Sequence, residues 1–442
     1  MDLEQQYDYI VVGSGPGGAT LAKELASQGK RVLIVEYGPR LARTGMLAMR
    51  NAYKDESGSQ VVSTEGIWIG RPRVLGGASY LAMGNAVTPP TKILREWGID
   101  LEAELASARV DLGVQPMPDR LVGPGTRRIN EGARSLGWEM KPTPKCVNLD
   151  KCTGCGLCMF GCPAGAKWTA VEFVDQAVSD GADLLLNTEV QAVLQHGGSV
   201  TGVLAKHGGS QVELNAETVI LCAGALSTPR ILQNSGLDDA GHGLALDAFQ
   251  TTYGSAEDVG MRGEPILATY LDVFIEDEEL FPAPYMYVPY IVLRDVEGGA
   301  PTRLSIFGEM WRLLRSRQVD TSHMIGMMTK IRDQRTGTVH NDGTIEKGLT
   351  AHDRKKLDQA YEINRQILIA AGADPETIFR GIVEAGHPCC TAAIGEVVDE
   401  YQETKIRGLY VSDASVFPSP LGMPPILTIV ALSKRLAARL LS

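Results

Sequence analysis

The chain has 442 residues, of which 44% are hydrophobic and 21% are charged, so it can bury a large core in two or three domains. Its formal net charge of −11 argues against nucleic acid or an anionic membrane surface as a partner. The opening residues, MDLEQQYDYI, lack the basic and apolar regions of a secretory signal, and no apolar run reaches about 18 residues. We therefore expect no transmembrane segment and a cytoplasmic location.

The first predicted elements are a strand, a glycine-rich turn, a helix and a second strand. An apolar strand over residues 9–12 leads into the turn, the helix covers residues 19–28, and the second strand covers residues 31–35. G-x-G-x-x-G spacing in this context predicts a dinucleotide site, with the pyrophosphate at the helix N-terminus. Glu36, about 20 residues on, is expected to bind the adenosine ribose. The turn residues are Gly13, Ser14, Gly15, Pro16, Gly17 and Gly18.

A cysteine-rich loop follows at residues 146–163. Its stretch KCTGCGLCMFGCP has the C-x2-C-x2-C-x3-C-P spacing of a ferredoxin loop. So compact a run suits the corners of a [4Fe–4S] cube better than a single zinc ion, which usually takes two separated C-x-x-C pairs. Cys152, Cys155 and Cys158 are the predicted ligands, with either Cys162 or Cys146 as the fourth. A zinc site or a structural cysteine loop is the alternative.

Further stretches resemble the glucose–methanol–choline (GMC) oxidoreductase family of flavoproteins, whose cofactor is FAD. They are RVLGGASYLAMGNA (73–86), TEVQAVLQHGGSVTGV with VILCAGALSTPRILQNSGL (188–203 and 219–237), GHPCCTAAIG (386–395) and GLYVSDASVFPSPLGMPPILTIVALSKRLAARLL (408–441). The stretch HMIGMMTKIRDQRTGTV (323–339) also resembles a strand pair of the family.

The resemblance implies an α/β fold (α+β overall) with a Rossmann-like FAD domain built from discontinuous segments. A smaller, sheet-containing substrate domain and a cysteine-rich iron–sulfur insertion would complete it. The FAD domain would take residues 1–95, 185–240 and 395–442, the connecting segment with the insertion residues 96–184, and the substrate domain residues 241–394.

The resemblance also implies which residues meet FAD. The second glycine motif would lie beside the flavin, the backbone of Val190 would meet the adenine, and Asp413 would lie near the ribityl chain and phosphates. Pro425 is expected at N1 of a last helix over residues 426–441. The other implied cofactor residues are Arg73, Gly76, Gly77, Asn85 and Ala414.

Family members oxidise an alcohol by giving the hydroxyl proton to a base while hydride passes to the flavin. His387 occupies the family's catalytic position, and an unperturbed pKa of about 6.5 suits a base near neutral pH. The family's second histidine or asparagine is replaced by Pro424, which has no side-chain donor or acceptor. Asn85 or a water would have to supply the missing contact.

A cluster would pass electrons one at a time from FAD to an electron-carrier protein or partner subunit. This hypothesis favours an alcohol dehydrogenase over an oxygen-using oxidase, although long-chain alcohol oxidases of the family have a similar cysteine stretch. Two other functions stay open. One is a reductase of a carbonyl or activated double bond, and the other is a non-catalytic electron-transfer subunit, which Pro424 favours.

Overall fold

The computed structural model describes residues 5–41, 44–45, 61–286, 292 and 321–442. Among these residues, no helix combines the length and the apolar character that crossing a bilayer requires. The helices are α1 (Pro16–Ala26), α2 (Thr91–Trp97), α3 (Glu102–Asp111), α4 (Pro124–Ser135), α5 (Ala170–Ser179), α6 (Thr228–Asn234), α7 (Ala351–Ala370) and α8 (Ile426–Leu441).

The described strands form two large sheets and several short ladders. In chain order they are β1 (Gln6–Val12), β2 (Val32–Val35), β3 (Trp68–Ile69), β4 (Gln115–Pro116), β5 (Lys141–Pro142), β6 (Pro144–Lys145), β7 (Asp183–Leu185), β8 (Thr188–His196), β9 (Ser199–His207), β10 (Ser210–Leu221), β11 (His242–Leu244), β12 (Ala248–Ser255), β13 (Thr269–Tyr270), β14 (Leu280–Pro284), β15 (Met324–Ile331), β16 (Gly337–Val339), β17 (Ile345–Glu346), β18 (Phe379–Ala385) and β19 (Leu409–Val411).

The larger sheet has the order β7-β2-β1-β10-β9-β8, and β19 also pairs with β10. Its β7, β2, β1, β10 and β19 run parallel, whereas β9 and β8 add an antiparallel edge. Every residue of β2 is buried, as expected for a parallel strand covered on both faces. Helix α1 packs against both α5 and α8. This mixed α/β architecture places the glycine turn at the carboxyl end of β1, where doubly wound proteins bind nucleotides.

The predicted strand–turn–helix–strand unit forms with small shifts at its boundaries. Helix α1 begins at Pro16 rather than at residue 19, since proline is already set for the first helical turn. The predicted helix over residues 426–441 has the same bounds as α8. Pro425, expected at N1, is instead the N-cap of that helix.

The second sheet has the order β14-β15-β12-β18-β3 and is antiparallel except between β18 and β3. Helix α7 packs against β15 and β12, and every residue of β15 is buried. The predicted strand pair over residues 323–339 forms two strands, but they do not pair with each other. The first is β15, whereas β16 pairs with β11 and β17 in a separate small sheet. The division of the chain into domains stays a prediction.

The cysteine loop is made of turns and a single 3-10 turn, Cys158–Phe160. Gly154, Gly156 and Gly161 all have positive φ, between 69° and 88°. An added Cβ at Gly156 would lie 2.3 Å from the carbonyl oxygen of Glu264, so only glycine fits this contact. The loop is therefore packed firmly against the segment that precedes β13.

Candidate active site

A cavity of about 750 Å³ is lined by residues from both large sheets. The first sheet contributes the glycine turn and the loops after β2 and β10, and the second contributes parts of β12 and β15. Gly18 and Gly76 pack behind the lining. The predicted site residues that line the cavity are Gly13, Ser14, Gly15, Pro16, Gly17, Glu36, Arg73, Gly77, Asn85, Val190, His387, Asp413, Ala414 and Pro425.

The glycines of the turn serve two different purposes. An added Cβ would lie 2.0 Å from the carbonyl oxygen of Gly13 if placed at Gly18, and 2.0 Å from that of Ser412 if placed at Gly17. These two glycines let α1 pack closely on neighbouring backbone. At Gly15 an added Cβ would meet nothing within 4 Å. Gly15 thus leaves open space at the N-terminus of α1, where a pyrophosphate can approach the backbone.

Glu36 supports the glycine turn through hydrogen bonds. One of its carboxylate oxygens accepts from the backbone N–H of Ser14 at 2.9 Å and from the Ser14 hydroxyl at 2.5 Å, and the other accepts from Gly38 N–H at 2.6 Å. The Ser14 hydroxyl also accepts from Gly76 N–H at 2.9 Å, which ties the two glycine motifs together. Burial raises the pKa of Glu36, and these donors oppose the shift. Ribose binding by Glu36 stays a prediction.

Asp413 fixes the loops that follow β10 and β19. One of its oxygens accepts from Gly224 N–H at 2.8 Å and from the Thr228 hydroxyl at 2.7 Å, and the other accepts from Ser415 N–H at 2.7 Å. Since Gly224 and Asp413 both line the cavity, this network shapes the wall at which the resemblance implies a ribityl chain.

Two arginines that the motifs did not single out, Arg71 and Arg230, line the cavity together with Arg73. The Arg73 guanidinium lies 3.8 Å from the ring centroid of Tyr37, which also lines the cavity. Guanidinium groups beside a glycine turn suit the phosphates of a dinucleotide. The available sequence signal for Arg71 was a pair of basic residues, Arg71 and Arg73, directly before the second glycine motif.

His387 pairs with a carboxylate that the sequence did not reveal. Its Nδ1 lies 3.2 Å from Oδ2 of Asp247, and the other oxygen of Asp247 accepts from Gly422 N–H at 2.7 Å. Asp247 has a left-handed backbone, with φ of +48°, directly before β12. When Asp247 is ionised it accepts a hydrogen bond from Nδ1–H, which leaves Nε2 of His387 unprotonated.

The electrostatics favour a neutral imidazole. Burial lowers the pKa of His387 well below its usual range, and the Lys330 ammonium lowers it further. Burial raises the pKa of Asp247 to about 7, although Lys330 and backbone donors oppose the shift. Near neutral pH, Asp247 is therefore close to losing its proton. Once Asp247 is ionised, Nε2 of His387 can accept a proton.

Pro424 and Lys330 complete this part of the cavity lining. Pro424 brings no polar side chain, as the sequence predicted. Lys330, on β15, is buried, and its Nζ lies 4.1 Å from the ring centroid of Phe249. Burial lowers the pKa of Lys330 to about 8. No motif marked this lysine. Asn85, expected to compensate for Pro424, lines the cavity, and its Oδ1 accepts a hydrogen bond from the buried Lys145 ammonium. Its compensating role stays a prediction.

The cysteines of the loop are all unpaired. Cys162 is buried, and its Sγ accepts from the backbone N–H groups of Ala166 and Lys167 at 3.3 and 3.4 Å. Cys146 Sγ instead donates to the carbonyl oxygen of Gly84 at 3.2 Å, and burial raises its pKa to about 11. Within the described ranges, no three His, Cys, Asp or Glu side chains are arranged to hold one metal ion.

Two buried lysines lie between the cysteine loop and the cavity wall. Lys145 Nζ donates to the carbonyl oxygens of Ile266 at 2.9 Å and Met83 at 3.3 Å, besides Asn85. Lys167 Nζ donates only to backbone carbonyls, including that of Cys158 at 3.1 Å. In the described part of the chain neither ammonium has a carboxylate within ion-pair distance. Met159 of the cysteine loop itself lines the cavity.

The glycine turn of a parallel sheet and a half-buried histidine beside the second sheet line one cavity, an arrangement that suits an oxidoreductase with a dinucleotide cofactor. Sequence models described as GMC oxidoreductase match residues 7–260 and 344–433. The chain therefore belongs to the GMC oxidoreductase family of flavin-dependent enzymes, as the motifs predicted.

Two relatives and a solved structure are similar to this chain over nearly its whole length. A GMC-type oxidoreductase of Mycobacterium tuberculosis is 27% identical over 97% of this chain and 75% of its own length. A long-chain-alcohol oxidase of Arabidopsis thaliana is 24% identical over 98% of this chain and 68% of its own. The crystal structure of pyridoxine 4-oxidase from Mesorbium loti has a TM-score of 0.72 at 17% identity, covering 98% and 99% of the two chains.

Proposed function

We propose that this protein is an FAD-dependent oxidoreductase that oxidises an alcohol, with His387 as the base. The observation that carries the proposal is the contact between His387, half-buried on the wall of a cavity that also includes the glycine turn, and the buried Asp247 behind it. The alcohol oxidase relatives support CH–OH chemistry. FAD, when bound, accepts the hydride that leaves the hydroxyl-bearing carbon.

The lining residues fit an FAD molecule. Gly15 leaves an open approach for the pyrophosphate, and the N-terminus of α1 and the nearby arginines complement its charge. Glu36 and Val190 are the proposed contacts for the adenosine, and Asp413 for the ribityl chain. A cavity of about 750 Å³ is large enough for an elongated cofactor with a small substrate beside it.

In the proposed reaction, Nε2 of His387 takes the hydroxyl proton. Asp247 holds the imidazole in the required tautomer through Nδ1 and stabilises the cation that forms. Backbone N–H of Gly422 holds Asp247 in turn. This arrangement supports a catalytic role and argues against a degenerate pocket in a pure electron-transfer subunit.

We propose further that the cysteine loop holds a [4Fe–4S] cluster, with Cys152, Cys155, Cys158 and Cys162 as ligands. The two backbone N–H groups that point at Cys162 Sγ are typical donors to a thiolate, whereas Cys146 Sγ is itself a donor. The cluster, when bound, exchanges single electrons with a partner.

Charge supports this second proposal. Lys145 and Lys167 bury two positive charges beside the loop without a carboxylate partner in the described chain, and buried cations are costly unless compensated. A cluster with four thiolates is an anion, so it supplies the missing negative charge. Because Met159 lines the cavity, the loop adjoins the cofactor site, as an electron relay requires. The proposed recipient is an electron-carrier protein or a partner subunit.

Anaerobically purified protein tests both parts. The FAD-loaded protein is mixed with a panel of alcohols without oxygen, and iron and sulfide are measured on the same sample. Loss of the oxidised flavin absorption with at least one alcohol supports the oxidation, and about four irons per FAD support the cluster. Flavin without iron would leave the oxidation intact and make the cysteines a structural loop, with oxygen as a candidate acceptor.

A further inference from the structure

The replacement by Pro424 leaves the substrate with one polar group fewer than the family pattern supplies. Asn85 lines the same cavity, and its Oδ1 is engaged by the Lys145 ammonium. Lys330 belongs to the same cavity lining as His387 and Pro424. Three features indicate its role there: its position in the strand pairing, its hydrogen-bond partners among the described residues, and the charges around it.

The register of the second sheet sets the position of Lys330. Strands β15 and β12 pair so that Lys330 stands opposite Phe249, and Phe249 stands opposite Glu384 on β18. Directly paired residues share one face of a sheet, and Lys330 Nζ lies over the Phe249 ring. An added Cβ at Gly386 would lie 3.8 Å from this Nζ. The ammonium is therefore adjacent to the residue that precedes His387.

Lys330 differs from the other buried lysines in its hydrogen bonds. Lys145, Lys167, Lys347 and Lys356 each donate to at least two protein oxygens. For Lys330 the described residues offer no hydrogen-bond acceptor and no carboxylate within ion-pair distance. Its ammonium contacts the face of the Phe249 ring. A ring face does not satisfy three N–H donors, and leaving donors unpaired in a buried site is costly.

The charged and titratable groups that face Lys330 are Asp247, Glu384 and His387. Asp247 is held by His387 and by Gly422 N–H, and Glu384 is buried outside the cavity lining. Both carboxylates favour the charged lysine, although burial brings the pKa of Lys330 down to about 8. The ammonium is thus retained near neutral pH with its donors free for a ligand.

The other side chains that the second-sheet side adds to the lining are mainly apolar. They are Trp68, Phe249, Leu267, Tyr285, Met328 and Ala385. A single cation among such groups selects strongly for an oxygen anion, because its hydrogen bonds gain strength where water is excluded.

We propose that Lys330 binds a carboxylate of the substrate, so that the alcohols oxidised at His387 are hydroxy acids. The inference rests on the proposed alcohol oxidation. Lys330 holds the carboxylate, while His387 takes the proton of the nearby hydroxyl. Lys330 thereby gives the substrate a polar contact in a part of the cavity where Pro424 offers none.

Acetate tests the site without turnover, since it has the carboxylate and no hydroxyl. FAD-loaded protein is titrated with acetate at constant ionic strength, and the visible absorption of the flavin is followed. We expect saturable binding that weakens as pH rises through about 8, and none with neutral acetamide. Lys330→Met should weaken acetate binding at least about tenfold, and Lys330→Arg should largely restore it. Lys206→Met, the same change at an exposed position of β9, should leave binding unchanged.

Unchanged acetate binding in Lys330→Met with its melting temperature preserved, or equal binding of acetate and acetamide, would overturn the inference. If neutral alcohols reduce the flavin while acetate does not bind, the alcohol oxidation stands and the carboxylate site falls. If acetate binds but no hydroxy acid or other alcohol reduces the flavin, the proposed oxidation is wrong.

Discussion

His387 and Asp247 lie 140 positions apart in the chain, yet Nδ1 of the histidine is 3.2 Å from Oδ2 of the aspartate. The contact joins the loop after β18 to the residue that precedes β12, so the second sheet itself sets its geometry. Burial and a left-handed backbone are both unfavourable for Asp247. The hydrogen bond from Gly422 N–H offsets part of this cost. A carboxylate held in an unfavourable position beside His387 favours a catalytic role for this histidine over a packing role.

The first prediction concerns pH. Because burial raises the pKa of Asp247 to about 7, the pair holds an extra proton below that pH and cannot accept one from the substrate. The rate of flavin reduction under limiting substrate should therefore fall about tenfold per pH unit below about 7 and level off above it. Because the pKa of His387 is lowered well below its usual range, protonation of His387 itself does not cause this loss of rate at acidic pH.

Asp247→Asn tests whether Asp247 is the group whose protonation slows flavin reduction at acidic pH. The variant should reduce its flavin about 10- to 100-fold more slowly at pH 8, because an asparagine no longer selects the Nδ1–H tautomer. Its acid limb should also move to lower pH, toward the depressed pKa of His387. Asp358→Asn, the same change at an exposed position of α7, serves as the matched control. An unshifted limb in Asp247→Asn would assign the titration to another group.

A second prediction separates the glycines that support folding from the one that faces the cofactor. Gly18→Ala should lower the melting temperature of the apo-protein, since its Cβ would meet the Gly13 carbonyl at 2.0 Å. Gly15→Ala has open space around its Cβ, so it should leave the apo-protein stable and weaken FAD binding, measured by flavin fluorescence. Equal FAD affinity in Gly15→Ala would place the pyrophosphate elsewhere.

The third prediction distinguishes the fourth cluster ligand. Cys162→Ser should lose iron on anaerobic purification, whereas Cys146→Ser should retain it, because the Cys146 thiol donates to Gly84 instead of accepting. Cys222→Ser, at a buried position directly after β10 and outside the cysteine loop, controls for general loss of stability. Iron loss in Cys146→Ser with a normal melting temperature, together with retention in Cys162→Ser, would reverse the assignment.

Local patterns predicted the parts of the fold whose causes are local. The glycine turn, α1, β2 and α8 follow from periodicity, proline at a helix start and the backbone freedom of glycine, and only the boundaries of α1 and β2 shifted. The stretch over residues 323–339 predicted two strands correctly but not their partners. Pairing depends on distant strands, since β15 joins β12 whereas β16 joins β11.

The site was predicted where motifs mark it and missed where tertiary contacts create it. His387 stands in a recognisable stretch, but Asp247 lies in the ordinary segment LALDAF and becomes a partner only when the sheet forms. Lys330 likewise belongs to an apolar strand, and the lack of an acceptor for it among the described residues is visible only in the fold. Asn85 was predicted as a compensating contact for the substrate, but its hydrogen bond with Lys145 was not foreseeable from sequence.

The most direct test of alcohol oxidation with His387 as the base compares wild-type protein with His387→Gln. Both are loaded with FAD and mixed anaerobically with the same alcohols, including hydroxy acids, while the flavin absorption is recorded. We expect the wild type to be reduced by at least one of them, and His387→Gln to be reduced about 100- to 10,000-fold more slowly with the same FAD content. Equal reduction rates in the two proteins across the pH range would show that His387 is not the base.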